Sequence, residues 1–441
     1  MSLENMSFKG GVHMHDFKEL TCDKPVEAGI SPTTVTIALQ QHIGVPCESL
    51  VKVGDRVLVG EKIGESKAFM SIPVHSSVSG EVKSISEIIT PSGVRCNAIT
   101  IESDGLDEIG YDVKNRSIDQ VSKSEIIEIV KEAGIAGLGG AAFPTHIKLS
   151  PPEDIKIDTV LVNGAECEPY LTADQKIMEI NPKKVIGGLK LAMKAVDAEK
   201  GYICVETNKP DAIEALKSEL SGDTAIEVVT LKPKYPQGDE KRIIDAATKR
   251  HVPSGGLPMD VGVVVINAYT SHSIYEAVTT GKPLYERIVT VTGNALKSPV
   301  NVMAKVGVPL SYLIEAAGGF KVKPGKIIIG GPMMGEAQFT IDAPTVKATG
   351  GVLVMTEEEA APVKVEACIK CGKCLDVCPV FLQPLYLESM VRHGDYESAT
   401  ELKIMDCIEC GSCSYICPAK RPLLETIRLG KRETRKQSQR V

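Results

Sequence analysis

Tryptophan is absent from this chain and aromatic residues make up only 4% of it, so the 43% hydrophobic content available for cores is almost entirely aliphatic. That content is ample for several domains. No apolar run approaches the ~18 residues of a membrane span. The longest β-branched stretches, Val261–Ile266 and Lys326–Ile329, read as buried strands. Met1–Gly11 lacks an apolar core of signal-peptide length. The reading is therefore a soluble chain whose membrane role, if it has one, is peripheral. An excess of positive charge is also missing: the net charge is −7, which argues against nucleic acid as a main partner. A basic tail from Arg428 to Val441 is the local exception.

The 13 cysteines do not read as a disulfide framework, because nothing in the sequence supports a secreted context. Five are scattered, and eight crowd between Cys368 and Cys417. Cys368, Cys371, Cys374 and Cys378 are followed by Pro379; Cys407, Cys410, Cys413 and Cys417 are followed by Pro418. Each run is C-x-x-C-x-x-C-x-x-x-C-P. Three closely spaced thiolates grip three irons of a cubane, and the fourth lies beyond on a helix. In two-cluster ferredoxins the fourth cysteine of each run serves the other cluster. Cys368, Cys371, Cys374 and Cys417 are thus assigned to one [4Fe–4S] cluster, and Cys407, Cys410, Cys413 and Cys378 to the second. Zinc is the competing reading, but a zinc site uses four ligands with two short spacings, not four cysteines per run twice over.

Upstream, the chain divides into three further units. Residues 1–115 carry short alternating runs, among them Lys52–Glu61 and Pro73–Val82, joined by glycine turns. This pattern resembles the lipoyl/biotinyl half-barrel, with Lys67 near the place of that family's carrier lysine; a structural barrel with a surface lysine is the plainer reading. Residues 116–282 open on an S-x-x-E capping box at Ser122 and Glu125, then alternate strand and helix patterns, which means an α/β layer. Residues 283–350 read as a small α+β unit around a helix at Leu310–Ala317, and 351–441 as a linker followed by the helical cysteine domain.

The segment Ala133–Lys148 is glycine-rich, and Gly137, Gly139 and Ala142 fit G-x-G-x-x-A. A helix precedes it, so it is no standard dinucleotide fingerprint. Backbone N–H groups in such a loop, including Gly140, still make a phosphate cradle, to which Lys148 can add charge. Three polar turns accompany it: Asn163–Pro169, Tyr235–Lys241 and Asn267–Thr270. Two of them follow predicted strands, where α/β sheets bind ligands. Cys167 reads as a packing residue and His146 as a loop residue.

These residues resemble the FMN- and NADH-binding subunits of respiratory complex I, whose motifs correspond to Gly139–Thr145, Asn163–Pro169, Tyr235–Glu240 and Asn267–Thr270. Two features depart from that family, the half-barrel and the second cluster run. Both, with Lys9-Gly10-Gly11-Val12-His13, resemble the RnfC proteins of Rnf electron-transport complexes over nearly the whole chain. The resemblance implies an N-terminal barrel-sandwich hybrid, a Rossmann-like flavin domain, a β-grasp (SLBB-type) unit near Val308–Phe320 and a double-cluster ferredoxin domain. It implies noncovalent FMN, NAD(H) and two [4Fe–4S] clusters. Asn163, Asp239, Glu240 and Asn267 become candidates for flavin and ribose hydrogen bonds. Glu166 and Glu168 line the pocket, Tyr235, Gly238 and Thr270 complete the turns, and Phe143 stacks on the dinucleotide. It further implies a bacterial protein on the cytoplasmic face of the membrane. Its partners are other Rnf subunits, above all an iron–sulfur B-type subunit and the membrane subunits, and indirectly ferredoxin. The complex couples electron flow to Na⁺ or H⁺ movement. A cobalamin reductase with flavin and clusters, and a ferredoxin-like adaptor without catalysis, are the alternatives.

Overall fold

The computed structural model describes residues 4–29 and 31–438; the final residues of the basic tail, 439–441, lie outside them. The half-barrel is built from two antiparallel sheets. One runs Thr34–Ala38, Arg95–Ser103, Gly80–Ile89, Arg56–Val57, and the other Glu48–Ser49, Lys62–Glu65, Val74–His75. Alternation puts Val35, Ile37, Val82, Ile99 and Ile101 inside, where they meet Ile63 and Val74 of the second sheet. Lys67 is exposed.

The α/β unit holds four parallel strands in the order Ile226–Leu231, Lys200–Glu206, Thr159–Gly164, Val263–Asn267. They are near-continuous apolar runs because helices cover both faces. Ser122 caps helix Lys123–Glu132 through the expected box with Glu125. The chain leaves Thr159–Gly164 toward one side of the sheet and returns with Val263–Asn267 on the other. Asn163 and Asn267 are therefore register partners at the carboxyl edge, at the switch point where such sheets bind ligands.

The β-grasp unit is a six-stranded sheet whose order is Val26–Ala28, Val300–Lys305, Glu286–Thr292, Gly351–Thr356, Pro324–Ile329, Glu336–Gln338. Two boundaries differ from expectation. Val26–Ala28 leaves the barrel to pair with Val300–Lys305. Gly351–Thr356, placed with the cysteine domain by the 350/351 boundary, is a buried inner strand of this sheet. The cysteine domain starts only after it.

That domain packs helices Pro384–Arg392, Tyr396–Glu401 and Leu423–Ser438 around Leu387, Val391, Ile404 and Ile427. The basic tail, as far as Ser438, is the last part of helix Leu423–Ser438. Two of its charges are engaged: Arg428 Nε and Lys431 Nζ meet Glu409 at 3.0 and 2.6 Å, and Lys431 also donates to the Cys407 carbonyl. Among the described residues no helix is long and apolar enough to cross a membrane.

Candidate flavin and cluster sites

The glycine loop is pinched at its base and open at its tip. The Gly137 amide donates to the Phe143 carbonyl at 2.9 Å and Thr145 N to Ile135 O at 3.1 Å. The Thr270 hydroxyl accepts from Leu138 N (2.9 Å) and donates to the Ala136 carbonyl (3.2 Å), which ties the loop to the start of helix Ala268–Thr280. Gly139, Gly140 and Ala141 are exposed, and among the described residues their amides have no protein acceptor. A Cβ on Gly139 would lie 2.6 Å from Asn267 Nδ2, whereas one on Gly140 would meet nothing. Free amides on a tip that needs glycine fit a phosphate group. Lys148, expected beside that phosphate, donates to Glu240 at 2.5 Å and to the Val265 carbonyl at 3.0 Å. Phe143 is half-buried at the loop's closing strand.

The turn Asn163–Pro169 is held by two buried lysines that carry no local sequence signal. Lys18 Nζ donates to the carbonyls of Glu166 (2.9 Å), Glu168 (3.2 Å) and Leu171, and Lys209 Nζ to that of Ala165 at 2.6 Å. Glu166 sits at φ 43°, and its carboxylate accepts from Asp174 N and Gln175 N at 2.8 and 3.0 Å. It caps helix Ala173–Ile180, and that takes up the oxygens expected to reach a ribose. Glu168 accepts from Met333 N and Met334 N of the β-grasp unit at 3.2 and 2.8 Å. Burial raises its carboxyl to about 7 despite those bonds.

Asn163 Nδ2 donates to the Gly238 carbonyl at 2.7 Å, and Gly238 N donates to Cys167 Sγ at 3.2 Å, so the first and second turns are locked together. Cys167 is thus a packing residue whose thiol burial pushes up. Asp239 caps helix Glu240–Thr248 by accepting from Arg242 N at 3.1 Å. Asn267 caps helix Ala268–Thr280 with its Oδ1 and donates through Nδ2 to Asp174 at 2.6 Å. Asp174 is buried, its other oxygen is unpartnered, and burial beside Glu166 raises it to about 7. The buried Arg287 opposes it electrostatically and donates to the Leu138 carbonyl at 3.2 Å. Sequence reasoning singles out neither Asp174 nor Arg287. An acid two residues after Thr172, opening a helix, is the available signal for the first; Arg287 gives none.

The cysteines come together in two sets of four. Cys368, Cys371, Cys374 and Cys417 line one cavity with Ile369 and Leu385. Cys378 faces Cys407, Cys410 and Cys413. Among the described residues no three His, Cys, Asp or Glu side chains converge closely enough for a single metal ion. The first quartet instead surrounds a space, which suits a cubane. Cations lie alongside the second set, Arg242 near Cys378 and Lys431 near Cys407. Burial, with the neighbouring Cys410 and Cys378 thiols, pushes the Cys407 thiol up to about 11, a penalty that iron binding to thiolate reverses. The N-terminal segment wraps this quartet: Gly11 N donates to Val377 O at 2.8 Å, and Val12 pairs with Tyr235. Tyr235 itself is buried with Cys410, so a flavin-side turn and a cluster ligand share one apolar cluster.

Comparison with known proteins agrees with this layout. Family models match as the RnfC barrel sandwich hybrid domain (6–106), the Nuo51 FMN-binding domain (130–276), the SLBB domain (288–337) and a 4Fe-4S dicluster domain (364–421). The chain is 49% identical over 434 residues to the RnfC-type component of the Na⁺-translocating ferredoxin:NAD⁺ oxidoreductase complex of Acetobacterium woodii, covering 98% of both. It is 45% identical over 394 residues to the corresponding component of the proton-translocating ferredoxin:NAD⁺ oxidoreductase complex of Clostridium ljungdahlii, covering 89% of this chain and 86% of that one. To its counterpart in the ion-translocating oxidoreductase complex of Rhodobacter capsulatus it is 36% identical over 401 residues, covering 90% of this chain and 77% of that one.

Proposed function

This chain belongs to the RnfC family of ferredoxin:NAD⁺ oxidoreductase complexes, and from that premise we propose how its residues serve the reaction. It is an oxidoreductase subunit with an FMN-binding domain and a 4Fe-4S dicluster domain. FMN, when bound, accepts the two electrons of a hydride and releases them singly, as clusters require.

We assign the phosphate of FMN to the free amides of Gly139, Gly140 and Ala141. Asn267 stands over that loop, held from below by Asp174. Phe143, Lys148 and Glu240 flank the open side and are assigned to NAD(H). Asn163, Gly238 and Asp239 shape the floor rather than contact ligand, and Glu166 and Glu168 hold the turn that frames it. Cys407, Cys410, Cys413 and Cys378 form the quartet on the flavin side; Cys368, Cys371, Cys374 and Cys417 form the quartet on the partner side. The single observation behind this order is Tyr235, which belongs to a flavin-side turn and packs on Cys410.

The partner on the exposed side is another iron–sulfur protein of the same complex, and attachment to the cytoplasmic face of the membrane runs through other subunits. Ion translocation belongs to those subunits. The test is the anaerobically purified chain. It should contain about eight irons and eight labile sulfides, one FMN, and NADH:ferricyanide reductase activity. Two zinc ions without sulfide, or iron without flavin, would sink the reading.

A further inference from the structure

Strand Glu286–Thr292 of the β-grasp sheet sends one arginine out of its own unit. Arg287 is 3% exposed, and its hydrogen bonds among the described residues all go to neutral carbonyls. Nε donates to Ile288 O at 3.3 Å; Nη1 donates to Lys347 O at 3.0 Å and to Leu138 O at 3.2 Å. The guanidinium lies 5.1 Å from the centre of the Tyr269 ring, and the Tyr269 hydroxyl accepts from Ile288 N at 2.9 Å. Two neighbouring residues of one strand thus grip the glycine loop and the first turn of helix Ala268–Thr280 beside it.

Among the described residues no carboxylate pairs with this cation. Asp174 exerts the strongest anionic pull on it, yet Asp174 is bound to Asn267 and has its own carboxyl raised to about 7, so it offsets the charge only in part. A guanidinium does not shed its proton, and a buried charge without a counter-charge is costly. Such a group fits a place where an anion arrives. Its direction of action follows from the peptide it holds. The Leu138 carbonyl and the Gly139 amide belong to one trans peptide, so they point to opposite sides. With Arg287 on the oxygen, the Gly139 N–H faces away from the guanidinium, on the exposed tip whose amides have no protein acceptor. A cation on the oxygen also polarises the peptide and strengthens that N–H as a donor. Lys148, the cation the sequence offers there, is matched by Glu240 instead.

We propose that Arg287 is the positive charge of the flavin-phosphate site, a positioning residue that acts through the Leu138–Gly139 peptide. A strand of the β-grasp unit thereby completes a site whose amides come from the α/β unit. This rests on the assignment of the phosphate to Gly139, Gly140 and Ala141, and it adds a dependence on ligand charge that a mere clamp on the loop lacks.

The test uses the full chain with both clusters, its flavin removed, and two probes that differ in the phosphate alone, FMN and riboflavin. Titration read by quenching of flavin fluorescence should show FMN bound at least about tenfold tighter than riboflavin. Arg287→Gln keeps a donor toward Leu138 and removes the charge. It should weaken FMN binding by about tenfold, change riboflavin binding by less than about twofold, and leave iron content unchanged. An equal loss of both ligands makes Arg287 a clamp only and overturns the proposal. An undiminished preference for FMN in Arg287→Gln overturns it while the phosphate assignment stands. Riboflavin binding the unaltered chain as tightly as FMN overturns that assignment as well. If Arg287→Gln does not accumulate, salt decides on the unaltered chain. A buried charge is weakly screened, so the preference for FMN should fall by less than about threefold between about 50 and about 500 mM salt. A steeper fall assigns the charge to exposed groups and overturns the proposal.

Discussion

The two cysteine runs have the same spacing, yet the two quartets drawn from them have opposite surroundings. Cys368 and Cys371 are exposed, and their quartet is bordered by the exposed Ile369. Cys378 and Cys410 are buried, the first against the N-terminal glycines and the second against Tyr235. Spacing therefore sets what a run can bind, and the segments laid over it set where electrons can leave. A covered cluster exchanges electrons only with its neighbours inside the chain, while an open one is reachable from another protein.

The sharpest way to break this contrast is to remove one ligand from each quartet. Cys410→Ala should lower iron from about eight per chain to about four or fewer and loosen the whole domain, because the lost cluster fills its interior. Cys371→Ala should leave about four irons and a stable fold. Equal outcomes in iron analysis and thermal unfolding would show that burial makes no difference. Next in size is Gly139→Val, whose side chain meets Asn267. Flavin should be lost while all iron stays, with Gly140→Ala as the variant that keeps both. Loss of iron together with flavin would mean that the covered quartet depends on the cradle.

Gly10 tests the covering segment itself. It sits at φ +87°, and an added Cβ would lie 2.9 Å from the Cys378 carbonyl. Gly10→Ala should cost about 3 kcal/mol and speed removal of iron by chelator from the covered quartet alone. The smallest effect concerns Glu168, which joins that side to the β-grasp unit and has its carboxyl raised to about 7 by burial. Its unfolded value is near the ordinary ~4.3, so the folded chain holds the extra proton between those limits. Stability is then fully present at low pH and is lost as pH rises through about 7, by about 1–2 kcal/mol between about pH 6 and about pH 8. Glu168→Gln should flatten that profile in thermal unfolding. An unchanged slope would place the titration elsewhere.

What could be read from the sequence follows from how local each feature is. The two cysteine quartets were legible because their members recur at short spacings. Strand Thr159–Gly164 and helix Pro182–Val196 carry their apolar spacing in the sequence itself. The roles of Glu166 and Glu168 were not, because their partners are amides supplied by a later helix and by Met333 and Met334. Sequence placed both acids at the right turn but aimed them at a ligand. Lys18 gave no signal, since it acts on carbonyls 148 to 153 residues away. Strand Gly351–Thr356 carries the apolar run V-L-V-M-T, yet it reads as part of a linker, because nothing local says that its neighbours are the strands Glu286–Thr292 and Pro324–Ile329.

The N-terminal strap has a consequence for synthesis. Residues Gly10–Val12 leave the ribosome long before Val377 and Cys378, which they cover. Domains made in between fold as units while the chain grows. The strap therefore waits through most of translation before its berth exists, and the covered quartet stays open to the assembly machinery that delivers iron and sulfide until the strap lies down. Closing the strap Gly10–Val12 over Cys378 thus follows the filling of the quartet it covers.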